Sequence, residues 1–416
     1  MNARLSPNTR RYVAGFFLVP SFSGLVASQV FSILLPLIAY NYGASALEVG
    51  VVGGVANGVY VIFAAMMGRI SGEERRRRLL VITSLFVLMV LSILYFSYSN
   101  NVAQLIGLRV VEGVGFSMFW PIIQSGIGKL DYLSSVKVLG MYNVSWSAGS
   151  VIGPLIVTIA SIFTGMQFSF EVTAVLLGGT IVIALITTRN GVVGGGRIEE
   201  AVQDKSEPVR EKADITETDS SPASPSKRKG SKEVLSLMMF TVLCASSMGV
   251  LFTFFPPYAG SLGFPLATVG FAIMAYGATR FLSYLVLSVG RIRQKLVVNE
   301  SHRLVRLFCG CALISAATAL IGIVANAMVL YFGAFIAVAA GFTLVYSVSQ
   351  SAMISESGAS QSSSLAGLFE SALGLGLAGG PILGGVLSTA GLSFAFLVPS
   401  FELVAISLTL ALSYFL

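Results

Sequence analysis

Charge is scarce in this sequence, and the places where it is missing decide the class of molecule. Only 11% of the 416 residues are charged, 55% are hydrophobic and the mean hydropathy is +0.84, a surface that a soluble globular chain does not tolerate. Histidine is nearly absent, with His302 alone in a basic loop, so no His/Cys cluster offers a metal site and no metal or other cofactor is expected. The three cysteines, Cys244, Cys309 and Cys311, sit in apolar runs and read as small buried hydrophobes rather than a disulfide framework. The phosphate-binding pattern G-x-x-x-x-G-K-[ST] does not occur, so nothing supports ATP as the driving force. No arrangement of nucleophile and base suggests an enzyme.

What is present is a series of long apolar runs and one exception to them. From Arg189 to Glu233 the chain holds nine Lys/Arg and nine Asp/Glu with Gly- and Ser/Pro-rich ends, too polar to offset the entropy of ordering itself. It reads as a disordered cytoplasmic linker, residues 189–233, between an N-terminal unit, 1–188, and a C-terminal unit, 234–416. Each unit divides into six apolar runs, twelve in all, each long enough at ~1.5 Å per residue to cross a bilayer as a helix. The runs do not alternate apolar and polar positions, which excludes a β-barrel. The first run lacks a small-residue cleavage signature and is expected to be a retained span.

The net charge of +7 does not point to nucleic acid, because the basic residues follow topology. Lys and Arg cluster at Arg4 to Arg11, Arg69 to Arg78, Lys129 to Lys137, the linker and Arg291 to Arg306, whereas the alternate loops contain none. The positive-inside bias then places both termini and the linker in the cytoplasm, in a multi-pass protein of the cell membrane whose partners are the bilayer and a small-molecule substrate. A monomer is expected.

The two units are copies of each other. Gly115-Phe116-Ser117, Trp120 and Gln124 recur as Gly341-Phe342-Thr343, Tyr346 and Gln350; Gly149, Gly153 and Pro154 recur as Gly376, Gly380 and Pro381; Gly43 and Gly50 recur as Gly263 and Gly270. Six spans is an even number, so both copies enter the membrane in one orientation. Parallel repeats of this kind place a site between the halves at mid-depth.

Two six-helix repeats, a cytoplasmic linker and three motifs resemble the major facilitator superfamily over the whole chain outside the linker. The loop Gly68-Arg69-Ile70-Ser71-Gly72-Glu73-Glu74-Arg75-Arg76-Arg77-Arg78 is similar to the family's G-x-x-x-D-R-x-G-R-[RK]. Gly72 and Glu73 replace its Asp-Arg pair, which leaves Glu73 or Glu74 to supply the acidic gating contact; a loop that only fixes topology is the alternative. Arg109-Val110-Val111-Glu112-Gly113-Val114-Gly115 resembles R-x-x-[QE]-G-x-G, and Gly376, Gly380, Pro381, Gly384 and Gly385 complete a G-x-x-x-G-P-x-x-G-G pattern that Gly149, Gly153 and Pro154 half-complete. In the family that pattern accompanies exporters exchanging substrate for protons. Physically it describes close helix packing with a proline bend.

The deep charges are the candidates for function. A charged side chain in lipid costs at least ~2.5 kcal/mol on insertion scales, so these groups face protein or water. Arg109 and Glu112 share a helix face and form either a structural ion pair or a relay for protons or substrate. Arg280 and Glu370 lie at comparable depth and are expected to pair and carry proton coupling. The expected substrate cavity is lined by Gln29, Asn57, Trp120, Asn143, Trp146, Tyr276, Tyr346 and Gln350, an amide and aromatic surface suited to a neutral or amphipathic organic molecule. Gly68, Arg76, Gly149, Gly153, Pro154, Gly376, Gly380 and Pro381 are expected at hinges and gates.

The reading is a secondary transporter working by alternating access, an exporter of small organic compounds driven by protons. Uptake of sugars or other metabolites is the alternative, and a non-transporting sensor or scaffold of the same fold is the alternative of another class. The linker joins halves that move against each other, so scrambling its sequence at constant length and composition should leave transport in proteoliposomes near normal. A large loss at normal expression would make it a regulatory element instead.

Overall fold

The computed structural model describes residues 7–70, 73–128, 132–189, 226–287, 292, 294–298, 302–324, 327–356 and 362–415. Hydrocarbon offers no partner for a backbone N–H or C=O, so each apolar run satisfies its own backbone as a helix. Twelve helices are long and apolar enough to cross a membrane, and no strand occurs among the described residues. Spans one to six cover Thr9–Asn41, Ala46–Ala64, Glu74–Ser97, Val102–Ile127, Val138–Phe163 and Met166–Thr188. Spans seven to twelve cover Glu233–Ser261, Leu266–Leu287, Arg303–Ile323, Met328–Ala352, Leu368–Ala390 and Leu392–Ala411.

Most of the expected linker, 190–225, lies outside the described residues, as do Ser71, Gly72, Lys129 and Arg291 of the basic loops. The helix of span seven begins at Ser226, inside the stretch read as linker from its charge, so basic composition alone did not end the helix. Gly68 closes no helix; it lies within the one that runs Ala46–Ile70.

Local sequence explains the turns and breaks. Gly43 and Gly263, equivalent in the two copies, adopt φ of +80° and +83° after spans one and seven, a left-handed conformation that glycine reaches without a Cβ penalty. At the start of span two the Ser45 backbone N–H and hydroxyl donate to Glu48, which makes Glu48 a capping residue. Span four breaks after Ser117, because Pro121 has no N–H to give to the Ser117 carbonyl, and helix resumes at Trp120. Cys244 and Cys311 are buried as expected, whereas Cys309 is exposed on an apolar helix.

Glycine sets the packing, with the same geometry twice. Within the N-terminal half, a Cβ on Gly149 would stand 2.6 Å from the Phe22 carbonyl oxygen and one on Gly153 2.5 Å from the Gln29 Cβ, so span five lies directly on span one. Within the C-terminal half, Gly376 and Gly380 press still closer on the carbonyls of Val242 and Ser246 in span seven. These four glycines, expected at hinges, lock spans together inside each half.

Another set joins the halves. A Cβ on Gly54 in span two would lie 2.5 Å from the Ala378 carbonyl of span eleven, and Gly50 faces the Pro381 carbonyl there. The counterpart Gly270 in span eight lies beside Thr158 and the Pro154 carbonyl of span five, and Gly277 abuts the Ser150 carbonyl. Contact therefore runs from the end with charge-free loops to mid-depth, and the polar residues of both halves meet at its inner limit.

The glycine contacts predict a contrast on one helix. Gly376→Ala drives a methyl into backbone and should cost about 1–3 kcal/mol, read as a lower unfolding midpoint of the purified protein. Gly379→Ala, where no atom lies within 4 Å, should be neutral or stabilising. Equal midpoints for the two variants would contradict the packing described.

Candidate functional site

Two groups of buried charge occupy mid-depth, and they are built on opposite principles. In the first, Arg109 and Glu112 of span four are almost fully buried. Arg109 Nη1 donates to Glu112 Oε1 at 2.5 Å, Nε to the Val52 carbonyl at 2.9 Å and Nη2 to the Gly53 carbonyl at 3.0 Å. The remaining Glu112 oxygen accepts from the Tyr95 hydroxyl at 2.5 Å. Each charged edge is answered within the N-terminal half, and the network ties span four to spans two and three. A closed network in low dielectric is the geometry of a structural ion pair.

The second group lies between the halves. Glu370 of span eleven accepts from the Tyr60 hydroxyl of span two at 2.8 Å and from Gln124 Nε2 of span four at 2.7 Å. Gln124 also donates to the Tyr142 hydroxyl at 3.3 Å. Beside it, Trp146 Nε1 donates to Asn143 Oδ1 at 3.0 Å, Asn143 Nδ2 to Gln350 Oε1 at 3.4 Å, and Gln350 Nε2 to the Tyr346 hydroxyl at 3.4 Å. A carboxylate of one half is thus gripped by two donors of the other, next to a chain of amides that also crosses the interface.

The expected Arg280–Glu370 pair is not formed. Both oxygens of Glu370 are occupied by Tyr60 and Gln124, and Arg280 is turned into a cage of rings. Its guanidinium carbon lies 4.2 Å from the Trp146 ring centroid, 5.3 Å from that of Phe342 and 5.4 Å from that of Tyr276. Equal depth gave the two charges one common coordinate, while helix rotation, the other, points them apart. The acidic gating contact in the loop after span two is likewise local: Glu73 pairs with the exposed Arg76 at 3.3 Å and Glu74 pairs with Arg78 on the same helix. Arg78 also donates to the Thr188 carbonyl of span six, within its own half.

Among the expected cavity residues, Asn143, Trp146, Tyr346 and Gln350 come together at the interface. Tyr276 belongs to the Arg280 cage, and its hydroxyl oxygen accepts from Arg280 Nη1 at 3.2 Å. Gln29 is buried against span five with Oε1 unpartnered, Asn57 is half-buried on span two, and Trp120 stacks on Phe116 within span four. Sequence reasoning missed Tyr60, Tyr142 and the role of Gln124. The repeat carried a signal for Gln124, since its counterpart Gln350 was already a candidate. Tyr60 carried a weaker one, three residues from Asn57 on a neighbouring helical position. Glu402 accepts from Ser246 at 2.7 Å and Glu171 from Gln167 at 2.7 Å, contacts within the C-terminal half and within span six.

Comparison with known proteins gives a consistent picture. A family model described as Major Facilitator Superfamily matches residues 16–381. Among solved structures, a bacterial homologue of the human lysosomal transporter Spinster, inward-facing and unoccupied, aligns with a TM-score of 0.63 at 14% identity over 98% of this chain and 96% of that one. A POT family transporter in complex with a thioalcohol-conjugated peptide aligns with a TM-score of 0.72 at 12% identity over 97% and 94%. The human organic anion transporter MFSD10 aligns with a TM-score of 0.63 at 15% identity over 97% and 99%. At such identities the likeness is one of fold. None of the curated proteins matches the sequence.

The closed network around Arg109 generates a stability prediction. Arg109→Met strands the Glu112 carboxylate and should cost about 3–5 kcal/mol, whereas Arg109→Met combined with Glu112→Leu should recover much of the loss. Unfolding midpoints of the single and double variants measure this. A double variant no more stable than the single one would refute the pairing.

Proposed function

The chain belongs to the major facilitator superfamily, whose members move small molecules across membranes, and we propose that it does so by alternating access coupled to protons at Glu370. The observation that supports this is the grip of Tyr60 and Gln124, from one half, on a carboxylate of the other. Ionised, Glu370 accepts from both donors and holds the halves together. Protonated, one of its oxygens becomes a donor, the Tyr60 hydroxyl loses an acceptor, and the contact across the interface weakens. A proton arriving at Glu370 thereby favours the conformation in which the halves separate there.

Glycine packing supports the rigid-body part of the cycle. Spans one and five, and seven and eleven, are locked in pairs, so each half moves as a unit. The contacts between spans two and eleven and between five and eight are the surfaces that must part. For the solute we propose a small amphipathic organic compound, accommodated among the rings and amides where the halves meet. We place the linker and both termini on the cytoplasmic side, following the basic loops.

Export in exchange for protons is the direction we propose first, because of the glycine-proline pattern of span eleven. Uptake is the second reading, because the glycines of that pattern are committed to packing, Gly376, Gly380 and Gly384 on span seven and Gly385 on span two, a role that does not select a direction. The neighbour described as an organic anion transporter shares the fold alone, so its substrate does not transfer to this chain.

Glu370→Gln fixes the side chain in a neutral form. In proteoliposomes it should retain exchange of solute across the membrane but lose the response of net flux to an imposed pH gradient. Unchanged pH dependence in a normally assembled variant would remove Glu370 as the coupling site. A protein that binds solutes but moves none would favour the sensor reading.

A further inference from the structure

Arg280 is fully buried, and most of what surrounds it is aromatic. Nη1 has two contacts, the Tyr276 hydroxyl at 3.2 Å and the Met248 sulfur at 4.0 Å, neither of them charged. Nε and Nη2 have no hydrogen-bond partner. No carboxylate pairs with the guanidinium among the described residues. Arg109 is as deeply buried, yet each of its three nitrogens has an oxygen. The contrast matters because buried donors are almost always satisfied, and a buried cation without a counter-charge is rarer still.

The rings answer only part of this charge. Trp146, Phe342 and Tyr276 lie close enough for cation–π attraction, which acts on the guanidinium through ring faces. Ring faces do not replace an acceptor for the N–H groups in the guanidinium plane. Nε–H and one Nη2–H project side by side from a single edge of that plane, with the spacing of the two oxygens of a carboxylate. One turn along the same helix, the buried Tyr284 hydroxyl also lacks a partner, and its ring lies 5.6 Å from that of Trp146. The unmet donors therefore sit together on span eight, facing Trp146 of span five in the other half.

We propose that Arg280 is the recognition site for an anionic group on the transported solute, a carboxylate held bidentately by Nε and Nη2, with the Tyr284 hydroxyl as a further donor. The solute class is an amphipathic organic monocarboxylate, whose apolar part lies among the rings that already cover the guanidinium. This narrows the transporter reading above and rests on it. It replaces the neutral solute expected from the sequence, which offers no answer to a buried cation. Glu370 does not serve as the counter-charge, since Tyr60 and Gln124 hold both of its oxygens.

The test uses the full chain, purified and also reconstituted in proteoliposomes. Benzoate, phenylacetate and hexanoate are titrated against benzamide, a neutral relative of the first, with intrinsic fluorescence and unfolding midpoint as readouts; Trp146, against the guanidinium, is one of two tryptophans. At least one carboxylate should bind at least tenfold more tightly than benzamide. Arg280→Gln should reduce that binding at least tenfold, and Arg280→Lys, which keeps the charge but loses the fork, should fall between. Without ligand, Arg280→Met should melt at or above the wild-type temperature, because it removes an unanswered charge. The proposal is overturned if none of the three carboxylates is preferred to benzamide, if Arg280→Gln binds them as well as wild type, or if Arg280→Met melts well below wild type. Arg280-dependent binding without flux keeps the anion site and rejects the transport reading. Flux of benzamide equal to that of every carboxylate keeps transport and rejects the anion site.

Discussion

Close approach of helix backbones is the constraint on which this structure depends. Lipid provides no hydrophobic force to press one helix on another, so association relies on contact area, and glycine permits contact down to the carbonyl oxygens. Gly149 and Gly153 bring span five onto span one, Gly376 and Gly380 do the same for eleven on seven, and Gly50, Gly54, Gly270 and Gly277 bring the two halves together. The first two sets pack helices within each half and the last packs one half on the other. The proposed alternating access needs both kinds of contact, and here one residue type supplies both through its position on the helix.

The seam fixes which polar residues meet. With spans two and eleven in backbone contact near Gly54 and Ala378, Tyr60 arrives beside Glu370 farther along the same pair. With spans five and eight in contact at Ser150 and Gly277, Trp146 arrives over Arg280. The functional candidates are thus consequences of two glycine contacts and the helical repeat. The N-terminal half keeps its deep charges to itself in the Arg109–Glu112 network. The C-terminal half presents Arg280 and Glu370 at the seam, where the other half meets them with neutral groups only.

Much of this was legible in the sequence, for reasons tied to particular residues. Twelve spans follow from apolar run length, and the family resemblance follows from glycines whose spacing is a local property of one helix. The Arg109–Glu112 pair was also local, three residues apart on one face. The partners of Arg280 and Glu370 were not local. Their common depth could be counted along the chain, but which way each side chain points depends on the rotation of four helices packed by glycines. The same limit hid Tyr60, which gains its importance from a residue 310 positions away. The gating acids failed differently: Glu73 and Glu74 lie within one helical turn of Arg76 and Arg78, and local pairing is available without crossing the interface.

The failure of the expected pair carries a physical argument about the site. Had Arg280 and Glu370 joined, each would have neutralised the other, and a solute would have to break a buried ion pair to gain either. Instead the two are held separately. Glu370 is held by neutral donors from the opposite half, so its charge can change without stranding a cation. Arg280 is held by rings, which temper its charge and leave one edge free. Keeping two opposite charges unpaired in one seam costs stability, because each must be tolerated without the other. The proposed proton coupling at Glu370 and anion recognition at Arg280 would give that cost a use, and it distinguishes this seam from the closed network around Arg109, where every charged edge is already answered.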